Sequence, residues 1–203
     1  MTSNNKWLRG LFFTLFTGVL IWLGLTMYVQ MPNGHYIASF GPDTAPQRAL
    51  ILYDADPFDN LDQQLSTAFA SGLTNRGWNA TVSTVKAIRK EPLFDYDLYV
   101  FCANTYNGEP DWTISHYLRS EIDLSGKAVV GICVGAGATA RAQRTLECKI
   151  NKAGGFLLDA RSFSLARPND SDDQSKLQLE AARTQVMEWA AELVAQQLVA
   201  VDE

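Results

Sequence analysis

Residues 98–110 read Leu98-Tyr99-Val100-Phe101-Cys102-Ala103-Asn104-Thr105-Tyr106-Asn107-Gly108-Glu109-Pro110. The first six form an unbroken apolar run closed by turn formers, the pattern of a strand covered on both faces. Asn104 to Pro110 then make a tight turn that bears an aromatic ring. Ligands of open α/β sheets bind beyond the carboxyl ends of the strands. Two readings of this turn therefore stand side by side: a planar guest lying against Tyr106, or that ring packed on a neighbouring helix.

Working outward, strand and helix patterns alternate. Ala49–Tyr53 is a short buried strand, and Leu61, Leu65, Phe69 and Leu73 follow at helical spacing until Asn75-Arg76-Gly77 stops the helix. Asn79–Val85 alternates and is β-branched, a second strand. Turns near Pro92 and Asp95-Tyr96 precede the third strand, Asp97–Ala103, and Asp111–Arg119 is a helix. Lys127–Cys133 is a fourth strand. The small-residue loop Val134–Thr139 leads into a helix running to Lys152 and ending at Gly154-Gly155. Phe156-Leu157-Leu158 and Phe163-Ser164-Leu165 bracket a weaker fifth strand. A polar turn over Pro168–Asp173 precedes a terminal helix, Ser175–Val201. Five strands alternating with helices predict right-handed crossovers and a parallel sheet between two helical layers.

From Leu11 to Val29 the chain has no charged residue, enough helix to cross the ~30 Å hydrocarbon core. Trp7 and Tyr28 stand at its two ends, where amphipathic rings favour the headgroups. Lys6 and Arg9 precede the run, and the next basic residue is Arg48. The charge bias predicts a cytosolic N-terminus and a folded domain on the far, extracytoplasmic side of the membrane. A cleaved signal peptide is the competing reading, disfavoured by the bulky Met27–Met31 segment. The expected organisation is a cytosolic N-terminus (1–10), a transmembrane helix (11–29), a Pro- and Gly-bearing linker (30–48) and one α/β domain (49–203).

The apolar fraction of 47% marks a globular chain. Net charge is −5 and the basic residues are scattered, so no stripe exists to follow a nucleic-acid backbone. Cys102, Cys133 and Cys148 do not make a disulfide framework or a zinc knuckle. Small buried thiols are the expectation, with a Cys102–Cys133 bridge between neighbouring strand ends as the alternative. His35 and His116 are far apart, so no histidine metal site is expected. Ser115 and His116 are adjacent on a helix and diverge, which argues against a Ser–His hydrolase.

Asn104-Thr105-Tyr106-Asn107-Gly108-Glu109-Pro110 resembles the second flavin-contacting loop of flavodoxins and of the FMN-binding domains of diflavin reductases. The resemblance extends from about Ala49 to Arg167, with Gly135–Thr139 in the place of the third flavin loop. It implies a flavodoxin-like, doubly wound, five-stranded parallel sheet behind one transmembrane helix. It also implies a non-covalent FMN held by Asn104, Thr105, Tyr106, Asn107 and Gly108 together with Val134, Gly135, Ala136 and Gly137. Tyr106 would lie against the isoalloxazine, and the Asn107-Gly108 peptide would meet the flavin N5 edge and flip with redox state. Gly135 and Gly137 would let the backbone approach the pyrimidine side. The function implied is electron transfer by a flavoprotein moored in the lipid bilayer through its N-terminal helix, an oxidoreductase role with a membrane redox partner. The alternative is a domain that has lost FMN and serves as a binding or scaffold module.

One stretch departs from the family. Where the family's phosphate loop is rich in Ser, Thr and Gly, this chain has Asp54-Ala55-Asp56-Pro57-Phe58-Asp59-Asn60. Three carboxylates and a proline stand where backbone and hydroxyl donors would meet a phosphate. Capping of the following helix is one role for these acids, and holding a divalent cation is another.

Overall fold

The computed structural model of the chain describes residues 4–90, 96–165 and 173–201. The expected turns at Pro92 and Asp95, and residues 168–172 of the polar turn, lie outside them. The chain divides into two compact units, residues 1–31 and 32–203.

In the first unit, α1 (Asn4–Val29) is a continuous 26-residue helix. Its Lys6–Val29 portion is the one helix among the described residues long and apolar enough to cross a membrane. Helices of this composition serve as membrane anchors and as signal sequences. Phe12 and Phe16, four residues apart, stack at 6.0 Å, and the Thr14 hydroxyl donates to the Gly10 carbonyl at 3.1 Å.

In the second unit, β1 (Ile37–Phe40), β2 (Arg48–Tyr53), β3 (Asn79–Thr84), β4 (Leu98–Tyr106), β5 (Glu109–Pro110), β6 (Ala128–Gly135) and β7 (Phe156–Ser164) form a sheet. The main order is β1-β3-β2-β4-β6-β7, with β5 paired to β4. β3, β2, β4, β6 and β7 run parallel, the five-stranded doubly wound core that the alternating pattern predicts. From β2 the chain crosses first to β3 on one side and later to β4 on the other, so the switch point lies between β2 and β4. β1 adds an antiparallel strand on the outer edge of β3, inside the stretch read from sequence as linker. Its four residues alternate between exposed and half-buried, as an edge strand does.

The helices are α2 (Leu61–Thr74), α3 (Val85–Ile88), α4 (Trp112–Ser120), α5 (Thr139–Lys152) and α6 (Asp173–Val201). Because strand side chains alternate, each strand feeds two cores. Ile51, Val100 and Ile132 pack with Leu65, Phe69 and Trp189 beneath α2 and α6, whereas Leu52, Phe101 and Val129 pack with Ile114, Leu118 and Leu146 beneath α4 and α5. Phe69 and Trp189 meet edge to face at 5.3 Å. α2 and α6 approach closely at Gly72, where a Cβ would stand 2.2 Å from the Met187 carbonyl oxygen.

The same alternation overturns the disulfide alternative. Cys102 faces the α2–α6 core and Cys133 the α4–α5 core, so a sheet separates the two buried thiols. β7 is a single strand of nine residues; a register shift opposite Val129 and Val130 breaks its apolar pattern and leaves two fragments visible in the sequence.

Candidate functional site

Three segments meet at the carboxyl ends of the central strands. The first leaves β2 and enters α2 (residues 54–60), the second is the turn between β4 and β5, and the third joins β6 to α5 (residues 136–138).

The second segment is a two-residue hairpin. Thr105 pairs with Pro110 and Tyr106 with Glu109, and Asn107 and Gly108 both have positive φ, 55° and 75°. That is the geometry an Asn-Gly pair selects. Flipping the central peptide would convert the turn to one that favours glycine at its first corner, a place Asn107 occupies. Arg141, ion-paired with Glu109 at 3.1 Å, lies against Gly108, where a Cβ would be 3.2 Å from its Cδ.

Asn104, at the end of β4, is buried and fully engaged. Its amide nitrogen donates to the Asp54 carbonyl at 2.8 Å and to Asp62 Oδ2 at 3.0 Å, while its backbone N–H donates to Asp111 Oδ2 at 3.0 Å. Asp111 is the N-cap of α4, accepting from the Ile114 N–H at 2.8 Å. Thr105 packs against Gly135, where a Cβ would lie 3.1 Å away, and its buried hydroxyl has no partner among the described residues. Tyr106 is half-buried, and its hydroxyl donates to Asp56 Oδ2. Val134 is fully buried, its side chain in the α2–α6 core, while Gly135 is half-buried and Ala136 and Gly137 are exposed. The Ala136 carbonyl accepts from the Ser164 hydroxyl at 3.3 Å.

The first segment satisfies its own backbone. Asp56 Oδ1 accepts from the N–H groups of Phe58 (2.7 Å) and Asp59 (3.3 Å), and Asp59 Oδ1 accepts from Leu61 at 3.0 Å. Asp62 takes the Gln63 N–H at 2.7 Å and the Asp56 N–H at 3.1 Å, and Asp54 accepts from the Asn33 N–H at 3.1 Å. Aspartates therefore do turn-forming work here rather than the capping read from sequence: the N-cap of α2 is Asn60, without a side-chain cap, and Asp59 meets only the Leu61 N–H. Among the described residues no group of His, Cys, Asp and Glu is arranged to hold a metal ion. Burial pushes the Asp54 carboxyl up to about 6 and that of Asp62 up to about 7, and it raises Asp59 and, further, Asp111.

The backbone donors of this turn are already engaged. The N–H groups at 56, 58, 59, 61 and 63 already donate to carboxylates, and Pro57 has none. A phosphate charge about 6 Å from one ionised carboxylate would meet roughly 3 kcal/mol of repulsion at an effective dielectric near 20.

Sequence reasoning singled out Asn104–Gly108 and Asp54, Asp56 and Asp59, but not Asp62 or Asp111. Asp111 carries the signal of an N-cap three residues before Ile114. Asp62 sits at core spacing with Leu65 and Phe69, a polar residue on an apolar face.

No family model and no curated protein matches the chain. Solved structures do. An archaeal flavodoxin matches with a TM-score of 0.55 and 12% identity, over 73% of this chain and 99% of the flavodoxin. Oxidised flavodoxin 2 from Bacillus cereus matches with a TM-score of 0.51 and 16% identity, over 71% and 99%. The fold is flavodoxin-like. A flavodoxin, WrbA-like protein from Agrobacterium tumefaciens matches equally well, with a TM-score of 0.51 and 16% identity over 74% of this chain and 98% of that one. At these identities the likeness extends to the path of the backbone. The flavodoxin-like sheet and its switch point are common ground, and the chemistry of the loops is this chain's own.

Proposed function

We propose that this chain is a membrane-tethered flavodoxin-like module that works by binding, with the phosphate half of a flavin site closed by its own carboxylates. The observation that carries this reading is Asp56, which takes the Phe58 and Asp59 N–H groups and the Tyr106 hydroxyl. An internal anion thus stands where a phosphate would be held. The tether is the Lys6–Val29 helix, and Lys6 and Arg9 support a cytosolic N-terminus with the domain across the bilayer. A reporter fused after Glu203 that is active only outside the cytosol tests that orientation.

The second reading is FMN-dependent electron transfer with a membrane partner through Asn104–Gly108 and Val134–Gly137. It is favoured by the flavodoxin matches and by the aromatic hairpin at the switch-point edge. FMN titrated into the full chain in detergent separates the two. Unquenched FMN fluorescence and a colourless protein are expected; quenching with a yellow protein overturns the first reading. The pair Asp56→Asn and Asp59→Asn then asks whether charge is the obstacle, by testing whether FMN uptake appears.

A further inference from the structure

The surface between α4 and α5 gathers basic side chains. Two cavities of about 550 and 490 Å³ adjoin along the seam and share Ser115, Arg119 and Lys149. One ends at Trp112, whose side chain is 52% exposed, and the other at Gly154, beyond the end of α5. Half-buried Ile122 contributes an apolar wall, with Leu118 buried beneath it, and Arg119, Lys149 and Lys152 contribute three cations. Two of the acids nearby are ion-paired, and the third is held in its own turn. Asp123 accepts from the Ser125 N–H at 3.0 Å and from its hydroxyl at 2.6 Å, Glu109 pairs with Arg141, and Glu121 pairs with Arg89. Lys149 and Lys152 have no ion pair among the described residues. A chain of net charge −5 thus carries a groove in which three cations outnumber the one carboxylate without an ion pair, that of Asp123, beside an apolar wall.

We propose that the α4–α5 seam docks an extended, acidic segment of a partner protein that carries apolar side chains between its carboxylates. Nine residues of α4 rise about 14 Å, a length that four or five residues of extended chain cover. A single small anion would leave the Ile122 wall and the Trp112 ring wet. A lipid headgroup layer is flat and does not enter a furrow between helices. Carboxylates on the segment meet Arg119, Lys149 and Lys152, while its apolar groups cover Ile122 and the exposed Trp112 ring. This docking is independent of whether the strand-end site holds a flavin.

Cys148 supplies the probe, being exposed one residue before Lys149 while Cys102 and Cys133 are buried. A fluorophore on Cys148 of the full chain in neutral detergent reports titration with the peptide Asp-Leu-Asp-Leu-Asp-Leu. The expected result is saturable binding that weakens at least tenfold in the Lys149→Glu, Lys152→Glu double variant and also on raising salt. Lys-Leu-Lys-Leu-Lys-Leu should not bind. Thermal melts of the variant check that these surface changes leave the fold intact. Acidic-peptide binding unchanged by the double variant overturns the proposal. So does displacement of the peptide by millimolar inorganic phosphate, which marks a small-anion site, or equal, lysine-dependent capture by phosphatidylserine vesicles, which marks a lipid surface.

Discussion

Tyr106 and Asp56, fifty residues apart in sequence, join the hairpin after β4 to the turn after β2 by a hydrogen bond from phenol to carboxylate. Burial first, and the bond to Asp56 next, raise the Tyr106 phenol far above its ordinary value, so the hydroxyl stays protonated and donating at every physiological pH. Tyr106→Phe deletes the donor and keeps the ring. A charge-assisted bond at a half-buried site is worth about 1–2 kcal/mol. Urea titration should show the variant's unfolding free energy lower than the parent's by that amount; an unchanged midpoint would show that the two loops do not depend on this bond.

The buried carboxylates set a pH dependence whose sign is opposite to that of a salt-bridged protein. Asp62 and Asp54 have folded-state values near 7 and 6 against an ordinary 3.8, so between about pH 4 and 7 the folded state binds more protons than the unfolded chain. Their contribution to stability is full below the unfolded value and is lost as pH rises through the folded ones. Urea midpoints should therefore fall from pH 5 to pH 8. Asp62→Asn should flatten that slope even though it disturbs the three N–H bonds Asp62 accepts, and a slope unchanged in the variant would assign the effect elsewhere.

Gly72 is where α2 and α6 touch. A methyl there meets the Met187 carbonyl oxygen at 2.2 Å and the Ala190 Cβ at 2.8 Å, and the first of these is backbone that cannot rotate away. Gly72→Ala should destabilise the domain by roughly 1–3 kcal/mol, the range for overpacking. Gly137→Ala is the control, since a Cβ there meets nothing within 4 Å. Equal melting temperatures for the two variants would contradict the packing described.

β7 ends the sheet and is nine residues long, the kind of edge that invites pairing with another molecule. Midway along it, the Ala160 N–H donates to Asp159 Oδ1 at 2.8 Å and its carbonyl accepts from Gln143 Nε2 at 2.9 Å. Two side chains thus occupy the backbone groups that a foreign strand would use. The double variant Gln143→Ala, Asp159→Ala should self-associate on warming, seen as rising light scattering below the melting temperature. A variant that stays monodisperse would mean the edge is protected by other means.

Much of this architecture is legible from residues alone. Val100 and Ile51 lie within unbroken apolar runs because both faces of their strands are covered by helices. The Leu61–Leu73 spacing marks the buried face of α2 for the same reason. β1 escapes because four residues alternating at an edge, among Pro and Gly, carry little burial to reveal them. At the site, Asn107-Gly108 announces its turn through local sterics. The role of Asn104, by contrast, is set by Asp54, Asp62 and Asp111, which only the closed sheet brings to it. The self-satisfied first turn is legible only in part, since an aspartate's type predicts that it accepts a hydrogen bond but not from which N–H.

The placement of Cys102 and Cys133 on opposite sides of the sheet has a consequence for biogenesis. An oxidising lumen cannot weld the two thiols, and a reducing one has no staple to cut. The domain reaches the same covalent state on either side of a bilayer, with Cys148 alone left open to the oxidants around it.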